Sequence, residues 1–423
     1  MNGRIFLHAL ALVLLFAQAS LATEWDTTLY SHPRLPSKFL AVDKAAQEFS
    51  ILTQKSPLKS VRDIPCTTGQ RLGDKLVQGD KKTPEGVYFV QRHLQGGLNY
   101  TLYGDQAFTL DFPNPIDRIK GKTGYGIWLH GRGKPLVPRD TQGCVALTAA
   151  DLNSIETEVS PGLPVVITHS MEIGEKPASG EYASDFDALA LAVENWAQRW
   201  ETRSGSFFDC YDPVKFSLSD SVSFEAFKAH KERLFHRYDW IQVLVDDIRV
   251  LPGPDYYVTY FTQYYRAPNY VTQGIKRLYW QKDASGEFRI VGRGWENSPV
   301  TLDALYLERS QAEIAPVLDA WRKAWLAQDL DGYASFYQKK AKQDGRIGRY
   351  AILDHKRNLW KRSAPQRVGL EKVHYRIASD GIEVSFIQNY EARNGYADRG
   401  KKKLVFIPDR DGWKILRETW SRI

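Results

Sequence analysis

The sequence has few of the residue patterns on which metal and cofactor sites are usually built. It contains three cysteines and two methionines among 423 residues. No Cys-x-x-Cys, His-x-x-x-His or carboxylate cluster has the spacing of a metal site, and no glycine-rich loop has the spacing that holds phosphate. We therefore predict that the protein uses no metal ion and no cofactor.

Long runs of like charge are also absent. Lysine and arginine number 57 against 50 acidic residues, which gives a formal net charge of +7. A basic chain would suit nucleic acid, an acidic membrane surface or the anionic envelope of a bacterium. Because the charges are spread along the chain, a solvated surface is the favoured interpretation, and we predict no nucleic-acid partner.

An apolar run near the start resembles a secretory signal peptide. Arg4 precedes an apolar stretch over 5–16, and small residues over 17–22 suit a signal-peptidase site. The alternative is an uncleaved membrane anchor, but the run is shorter than the roughly 20 residues that a spanning helix needs. No cysteine follows the run, which argues against lipoprotein anchoring. We expect residues 1–22 to be removed, leaving an exported protein without a stable membrane span.

The stretch over 126–147 carries the candidate chemistry. His130 follows an apolar, strand-like run, and Cys144 stands fourteen residues further on, in a Thr-x-Gly-Cys turn. A thiol of ordinary pKa is mostly protonated at neutral pH, and a histidine within reach can accept its proton and later protonate a leaving amine. We predict a site for cysteine acyl transfer, with Cys144 as nucleophile and His130 as general base.

Glycines stand beside both residues. Gly143 allows its own N–H and that of Cys144 to turn toward one point, where they would bind the developing oxyanion. Gly131 leaves its carbonyl free to hold the Nδ1–H of His130. On composition alone a cysteine and a histidine would more often be core residues. The pattern that surrounds them favours catalysis instead.

This stretch resembles the catalytic signature of the L,D-transpeptidases, in which His-Gly is followed by Ser/Thr-His-Gly-Cys, an aliphatic residue and usually an arginine. The segments 68–69 and 83–88 resemble strand and turn elements of the same family, so that the resemblance covers about residues 36–170. Two positions depart from the family pattern. Gln142 replaces the usual histidine and Ala146 replaces the usual arginine.

The resemblance also suggests which residues hold the substrate. It implies that the family's arginine steadies the active-site loop or the substrate carboxylate. Since Ala146 cannot do so, we expect Arg132 or Arg139 to supply the charge. Thr141 and Gln142 complete the predicted substrate-binding set.

The activity that the resemblance implies is part of bacterial cell-wall biogenesis. Cys144 would attack the carbonyl at the L-centre of diaminopimelate in a peptidoglycan tetrapeptide stem, expel D-alanine, and pass the acyl group to an amine. With water as acceptor, the same site would be an L,D-carboxypeptidase that trims tetrapeptides to tripeptides and shapes the cell. Either enzyme would lie in the periplasm. A third alternative, a non-catalytic wall-binding protein, is disfavoured because the catalytic pattern is retained.

The pattern over 36–170 is mainly that of strands. Short β-branched or aromatic runs at 39–43, 49–52, 86–90, 100–103 and 165–168 are separated by turn residues. They predict a mainly-β sandwich. Thr148 and Asp151 have the spacing of a helix N-terminus directly after the cysteine. Residues 23–35 form a predicted N-terminal extension.

An internal repeat follows a predicted linker at 171–187. Residues recur at an offset of 125: Trp196 and Trp200 as Trp321 and Trp325, His230 as His355, and Phe261, Gln263 and Tyr265 as Phe386, Gln388 and Tyr390. Two copies of one domain, over 188–298 and 314–423 with a linker at 299–313, explain this.

Each copy begins with an amphipathic helix, continues with a second helix, and ends in long alternating strands. This order resembles the nuclear-transport-factor-2-like fold, a curved sheet wrapped on helices. The predicted class of the whole chain is therefore α+β: a mainly-β catalytic sandwich followed by two cone-shaped α+β domains. Lacking a catalytic set of their own, the copies are expected to bind substrate or other envelope proteins.

Cys66 and Cys210 are a candidate disulfide pair, since an exported protein meets an oxidising compartment.

Overall fold

The computed structural model describes residues 24–55, 58–298 and 301–423. The predicted signal peptide lies outside the described residues. Among the residues described, no helix is long and apolar enough to cross a membrane.

The first part of the chain forms an eight-stranded sheet with short helices. Its elements are β1 Asp26–Ser31, β2 Lys38–Asp43, β3 Glu48–Thr53, β4 Lys59–Pro65, β5 Gly86–Gln95, α1 Tyr100–Tyr103, β6 Gln106–Leu110, α2 Pro115–Ile119, β7 Trp128–His130, β8 Val145–Ala146, α3 Ala149–Ser154, β9 Pro164–Thr168 and β10 Ser170–Pro177. The sheet order is β4-β3-β2-β9-β5-β6-β7-β8. Strands β7 and β8, which flank the predicted site, pair in parallel at one edge.

One predicted strand is a helix. Residues 100–103 form the single turn of α1, because the Asn99 side chain accepts a hydrogen bond from the Leu102 N–H and caps the turn. Gly104, with a φ of 64°, ends it. The short aromatic run predicted a strand, and the prediction was wrong because it did not take the Asn99 cap into account.

Two segments predicted to lie outside the domains are folded. Strand β1, in the predicted N-terminal extension, pairs in parallel with β10, Ser170–Pro177, which covers the first part of the predicted linker. Helix α4, Gly180–Glu201, begins directly afterwards. The polar composition of 171–187 therefore reflects an exposed strand and helix start rather than a linker.

The first repeat contains α4, α5 Pro213–Ser219, α6 Phe224–Arg237, β11 Gln242–Pro252, β12 Tyr257–Ala267, β13 Tyr270–Lys282 and β14 Phe288–Asn297. The four strands form an antiparallel sheet in chain order. Helix α4 buries Leu189, Val193, Trp196 and Trp200 against it, at the helical spacing that the sequence shows.

The second repeat follows the same plan. It contains α7 Asp303–Ala327, α8 Leu330–Ser335, β15 Tyr337–Gln343, β16 Arg346–Ile347, α9 Arg349–Arg362, β17 Pro365–Ala378, β18 Gly381–Ala392, β19 Ala397–Asp409 and β20 Gly412–Arg422. The sheet order is β16-β15-β20-β19-β18-β17. Because α7 begins at Asp303, most of the predicted second linker is helical. The predicted α+β class is confirmed.

The eight-stranded sheet and the first repeat share one hydrophobic core. Phe39, Val87 and Phe89 from the sheet belong to the same buried cluster as the aromatic residues of α4 and β12. The hydroxyl of Tyr256 accepts a hydrogen bond from the Val87 N–H at 2.8 Å across this boundary. The two parts therefore pack as one body and not as independent domains on a flexible tether.

Candidate active site

His130 lies at the end of β7, and its ring is fixed by the next residue. Its Nδ1 lies 2.6 Å from the carbonyl oxygen of Gly131. A carbonyl can only accept, so we infer that Nδ1 carries the hydrogen and that Nε2 has a free lone pair. This is the tautomer that a general base needs.

The surroundings of His130 keep the ring neutral. The residue is only 4% exposed, and the Tyr103 ring of α1 meets it edge-on with centroids 5.2 Å apart. Burial, together with the positive charge of Arg132, lowers the pKa of His130 to about 4, although the Gly131 hydrogen bond acts in the opposite direction. At neutral pH the imidazole can therefore accept a proton.

Glycine is needed after the histidine because two chain segments meet there. A Cβ atom on Gly131 would lie 3.2 Å from the Ala149 Cα and 3.3 Å from the Tyr103 carbonyl oxygen. The same approach constrains Gly104, whose Cβ would lie 3.0 Å from the Gly131 backbone. Glycine thus allows the two segments to pack closely beside the histidine, and its carbonyl orients the ring.

Cys144 stands directly before β8. Parallel pairing sets His130 opposite Ala146, which leaves Cys144 diagonal to the histidine on the neighbouring strand. The thiol donates a hydrogen bond to the Gly126 carbonyl at 3.5 Å. The structure thus places Cys144 immediately before the strand that pairs with the strand ending at His130, while the resting thiol is bonded to the backbone and not to the imidazole.

The thiol of Cys144 is almost entirely protonated at neutral pH in the resting structure. Burial raises the pKa of Cys144 to about 11, while the Trp128 N–H and the charge of Lys75 act in the opposite direction. Cys144 and His130 are therefore both neutral at pH 7 and do not form a thiolate–imidazolium pair. Such a site can act by transferring the proton as the sulfur attacks.

The turn before Cys144 is held by Thr141. Its hydroxyl donates to the Cys144 carbonyl at 2.7 Å and accepts from the Gly143 N–H at 3.1 Å. Gly143 has a φ of 129°, and a Cβ there would lie 2.7 Å from the Lys82 carbonyl oxygen. One of the two N–H groups predicted to face the oxyanion, that of Gly143, is thus already bonded in the resting structure.

The predicted substrate-binding residues lie in different environments. Arg132 is 6% exposed, and its Nη2 donates to the Asp140 carbonyl at 3.0 Å and carboxylate at 2.7 Å, while its buried Nη1 has no partner. Arg139 has a φ of 55°, and its buried Nε has no partner. Gln142 is exposed. Arg132 alone of these three lowers the pKa of His130.

Three residues near the site were not predicted. Tyr103 contacts His130, the Lys75 charge acts on Cys144, and Gln47 joins two loops. The Gln47 Oε1 accepts from the N–H groups of Thr68 and Arg139, at 3.1 and 2.9 Å. No sequence pattern identifies Gln47 or Lys75 as lying near the site, because their contacts join segments far apart in the chain.

The cysteines outside the site do not pair. Cys66 is buried in the catalytic core, where burial raises its pKa to about 12, and Cys210 packs beside the core of the first repeat. All three cysteines are free. The Cys66–Cys210 disulfide considered from the sequence is therefore not formed.

Comparison with known families matches most of the chain. Residues 37–167 match the L,D-transpeptidase catalytic domain, and residues 188–293 and 313–419 each match the Cds6 C-terminal NTF2-like domain. Among curated proteins, the chain is similar to the putative L,D-transpeptidase YafK of Escherichia coli, 35% identical over 91 residues, or 21% of this chain. The match spans a third, 33%, of that relative.

Solved structures resemble the chain over larger parts. The structure of Bdellovibrio bacteriovorus Bd1075 aligns with a TM-score of 0.51 and 24% identity, covering 64% of this chain and 97% of that one. This likeness shows a shared fold. The helical cell shape determining protein Pgp2 of Campylobacter jejuni aligns with a TM-score of 0.48 and 27% identity, covering 61% and 91% of the two chains.

Proposed function

Because the chain belongs to the L,D-transpeptidase catalytic domain family over 37–167 and to the Cds6 C-terminal NTF2-like domain family over 188–293 and 313–419, we propose that it is an exported cysteine acyltransferase acting on the tetrapeptide stems of peptidoglycan. The observation that carries the proposal is the placement of His130 at the end of β7 and of Cys144 directly before its partner strand β8, with the imidazole held as the Nδ1–H tautomer.

The proposed acylation uses a thiol that is activated during attack. As Sγ bonds to the stem carbonyl carbon, the thiol proton passes to Nε2 of His130, and the negative charge moves to the carbonyl oxygen. The N–H of Cys144 would stabilise this oxyanion. Collapse of the intermediate breaks the amide bond, and Nε2–H protonates the departing amine of D-alanine.

The second half of the reaction regenerates the enzyme. An acceptor amine attacks the thioester carbonyl and gives its proton to Nε2. The C–S bond then breaks, and Nε2–H returns a proton to Sγ, so that Cys144 leaves as the thiol. Water as acceptor would yield the trimmed tripeptide by the same steps. The two outcomes use the same residues of the site and differ in which nucleophile reaches the thioester.

Arg132 is the residue that we propose for the stem carboxylate. Its Nη1 is buried without a partner, while Nη2 is held by Asp140. An unpaired guanidinium N–H is costly to bury, and a carboxylate would provide a charge-assisted hydrogen bond. Arg132 would then do what the family's arginine does, from a different position in the loop.

Purified sacculi provide the direct test. The full-length protein should consume tetrapeptide stems, releasing D-alanine and forming either cross-linked muropeptides or tripeptides, which chromatography separates. Cys144→Ser should give neither, since its hydroxyl is far less acidic than a thiol and cannot be activated by the same imidazole. If the folded wild-type protein left the sacculi unchanged, or if Cys144→Ser processed them equally well, the proposal would be wrong.

A further inference from the structure

The loop between β4 and β5 carries a buried lysine to which the proposed acyl transfer gives no role. Lys75 is only 4% exposed. Lysine is almost never fully buried unless it is paired, because its charge loses hydration there. The charge of this lysine also acts on the thiol of Cys144. The surroundings of Lys75 therefore bear on the chemistry of the site.

The ammonium group of Lys75 is held in one place. Its Nζ donates to the Asp80 carboxylate at 2.8 Å and to the Val77 carbonyl at 3.2 Å. Both side chains of the Lys75–Asp80 ion pair are largely buried. The Nζ also lies 6.0 Å from the centroid of the Phe112 ring. These contacts fix a positive charge inside the protein and keep it away from solvent.

Asp80 also holds the shape of the loop. Its Oδ2 accepts from the N–H groups of Leu76 and Val77 at 2.8 and 3.0 Å, and its Oδ1 accepts from the Lys82 N–H at 3.1 Å. Burial raises the pKa of Asp80, but the hydrogen bonds from Lys75 and from these three N–H groups lower it overall. Asp80 is therefore ionised at neutral pH and pairs with a charged lysine.

The loop contacts both segments that place the nucleophile. On one side the Thr123 N–H donates to the Leu76 carbonyl at 2.9 Å, and the Gln78 N–H donates to the Thr123 hydroxyl at 3.1 Å. On the other side the Lys82 carbonyl oxygen would lie 2.7 Å from a Cβ on Gly143. The loop thus packs against the segment that leads into β7 and against the turn before the cysteine.

Lys75 itself reaches the segment that holds the resting sulfur. Gly124 has a φ of 111°, and a Cβ there would lie 3.3 Å from the Lys75 Cε. Two residues further on, the Gly126 carbonyl accepts the hydrogen bond of the Cys144 thiol. Burial raises the pKa of this thiol, and the charge of Lys75 acts in the opposite direction. The lysine thus favours the ionised form of the sulfur.

The ends of the loop are anchored without Lys75. The Nζ of Lys44 donates to the Gly73 carbonyl at 2.7 Å and to the Thr83 carbonyl at 2.9 Å. Lys44 is also paired with Glu85 at 2.8 Å. Because these contacts remain when Lys75 is replaced, we expect the loop to keep its path in variants of Lys75.

The chemistry of attack explains the use of a cation at this position. In the resting site the thiol of Cys144 and the imidazole of His130 are both neutral. Attack moves the thiol proton to Nε2, and negative charge develops on the sulfur and then on the carbonyl oxygen. A fixed positive charge in a site with little water stabilises this charge without reorganisation. Lys75 keeps its protons throughout and is neither acid nor base.

We propose that Lys75 is a positioning residue of the active site, whose buried ammonium stabilises the sulfur of Cys144 as the thiol proton passes to His130. Asp80 holds this ammonium in place. The effect on the thiol belongs to the free protein, whereas the consequence for stem turnover rests on the proposed function.

The test is the rate at which iodoacetamide labels Cys144 in the full-length protein between pH 7 and 10, with mass spectrometry to separate the three cysteines. Lys75→Met removes the charge and keeps most of the length of the side chain. It should slow labelling at pH 8 at least about threefold and shift the rise in rate toward higher pH, because the thiolate loses a nearby cation. Lys75→Gln, which keeps a hydrogen-bond donor, should do the same.

Two controls separate the charge from the shape of the loop. Asp80→Asn keeps the cation and weakens the hydrogen bonds that shape the loop, so its labelling should be at least as fast as that of the wild type. Lys134→Met removes an exposed charge from the loop between His130 and Cys144 and should leave the rate unchanged. Thermal midpoints show whether each variant is folded.

The outcomes decide for or against the lysine. Slower labelling in both neutral variants of Lys75, with neither control slowed, would support the proposal. An unchanged or faster rate in a folded neutral variant, or equal slowing in Asp80→Asn or Lys134→Met, would overturn it. If one neutral variant unfolds, the other decides.

Turnover gives an independent measurement. On sacculi, the neutral variants of Lys75 should lower kcat in step with the labelling rate, and an unchanged kcat would overturn the role in acyl transfer. Because labelling needs no substrate, its result holds even if the wild-type protein leaves sacculi unchanged. Failure of the proposed function and failure of this inference are therefore distinguishable.

Discussion

At the scale of single residues, the site combines a very weak acid with a very weak base. Burial raises the pKa of Cys144 to about 11 and lowers that of His130 to about 4. Both shifts favour neutral forms, as expected where charges are removed from water. The free enzyme therefore keeps its thiol in the less reactive state, and substrate contacts must help to move the proton.

This arrangement predicts how the free enzyme reacts with alkylating agents. Because the thiolate is the reactive form and the pKa of Cys144 is raised, labelling by iodoacetamide at pH 7 to 8 should be slower than for an unhindered cysteine. The labelling rate should keep rising toward pH 11. Mass spectrometry of the labelled residue across this range provides the measurement, and a rate that levels off near pH 7 would contradict the neutral pair.

A second prediction concerns His130 as base. His130→Ala should lower kcat by roughly 10²–10⁴-fold, the usual range for lost general-base catalysis. His169→Ala is the control, because His169 contacts Glu24 outside the site. Since the pKa of His130 lies near 4, activity of the wild type should persist into mildly acidic buffer and fall as the ring becomes protonated. Equal loss in both variants would make the role of His130 structural.

A third prediction separates the two arginines. Arg132→Ala should raise KM for a tetrapeptide stem more than it lowers kcat, because the carboxylate contact exists already in the bound ground state. Arg139→Ala is the comparison, since Arg139 does not act on the pKa of His130. Steady-state kinetics of both variants measure the split, and an unchanged KM in Arg132→Ala would remove this residue from substrate binding.

At the scale of elements, the site depends on short connections between strands. Helix α1 places Tyr103 against His130, and the turn over 141–144 is held by the Thr141 hydroxyl. Neither element is longer than four residues, so neither is stable alone. Their geometry comes from the sheet and loops against which they pack.

The turn gives a fourth prediction. Gly143→Ala should impair catalysis severely, because the residue has a φ of 129° and its Cβ would collide with the Lys82 carbonyl. The distortion would move Cys144 relative to His130. Gly79→Ala is a matched control, with a φ of 81° but no atom within 4 Å of the new Cβ. Turnover of stem peptides should be lost in Gly143→Ala and kept in Gly79→Ala. Circular dichroism should show that both variants keep the fold.

At the scale of the whole molecule, the first repeat supports the catalytic sheet. Their common core means that removing the repeats would expose apolar surface of β2 and β5 to water. The second repeat attaches to the first through its own contacts, including the Arg266 guanidinium and the Ala378 carbonyl.

The shared core supplies the fifth prediction. Tyr256→Phe should destabilise the protein by about 1–3 kcal/mol, because it leaves the buried Val87 N–H without its acceptor. Tyr270→Phe is the control, since Tyr270 is half exposed. Calorimetry should show the lower thermal midpoint for Tyr256→Phe alone. An unchanged midpoint would mean that this boundary contributes little to stability.

Those features of the fold and of the candidate site that depend on local patterns could be predicted from the sequence. The spacing of His130, Gly131, Gly143 and Cys144 indicated the site, period-two runs indicated most strands, and the offset of 125 indicated two similar domains. These signals survive without coordinates because strand alternation, tight turns and repeats are properties of neighbouring residues.

Features that depend on contacts between distant segments became visible only in the tertiary structure. Residues 100–103 form a helical turn and not the predicted strand, and β1 pairs with β10 of the predicted linker. Tyr103 lies beside His130, and the charge of Lys75 acts on Cys144. The tertiary structure also set the protonation of Cys144 and His130, since desolvation depends on everything that packs around a group. The buried Nη1 of Arg132, which has no partner, was also visible only in three dimensions, because a missing hydrogen-bond partner is a property of the whole fold.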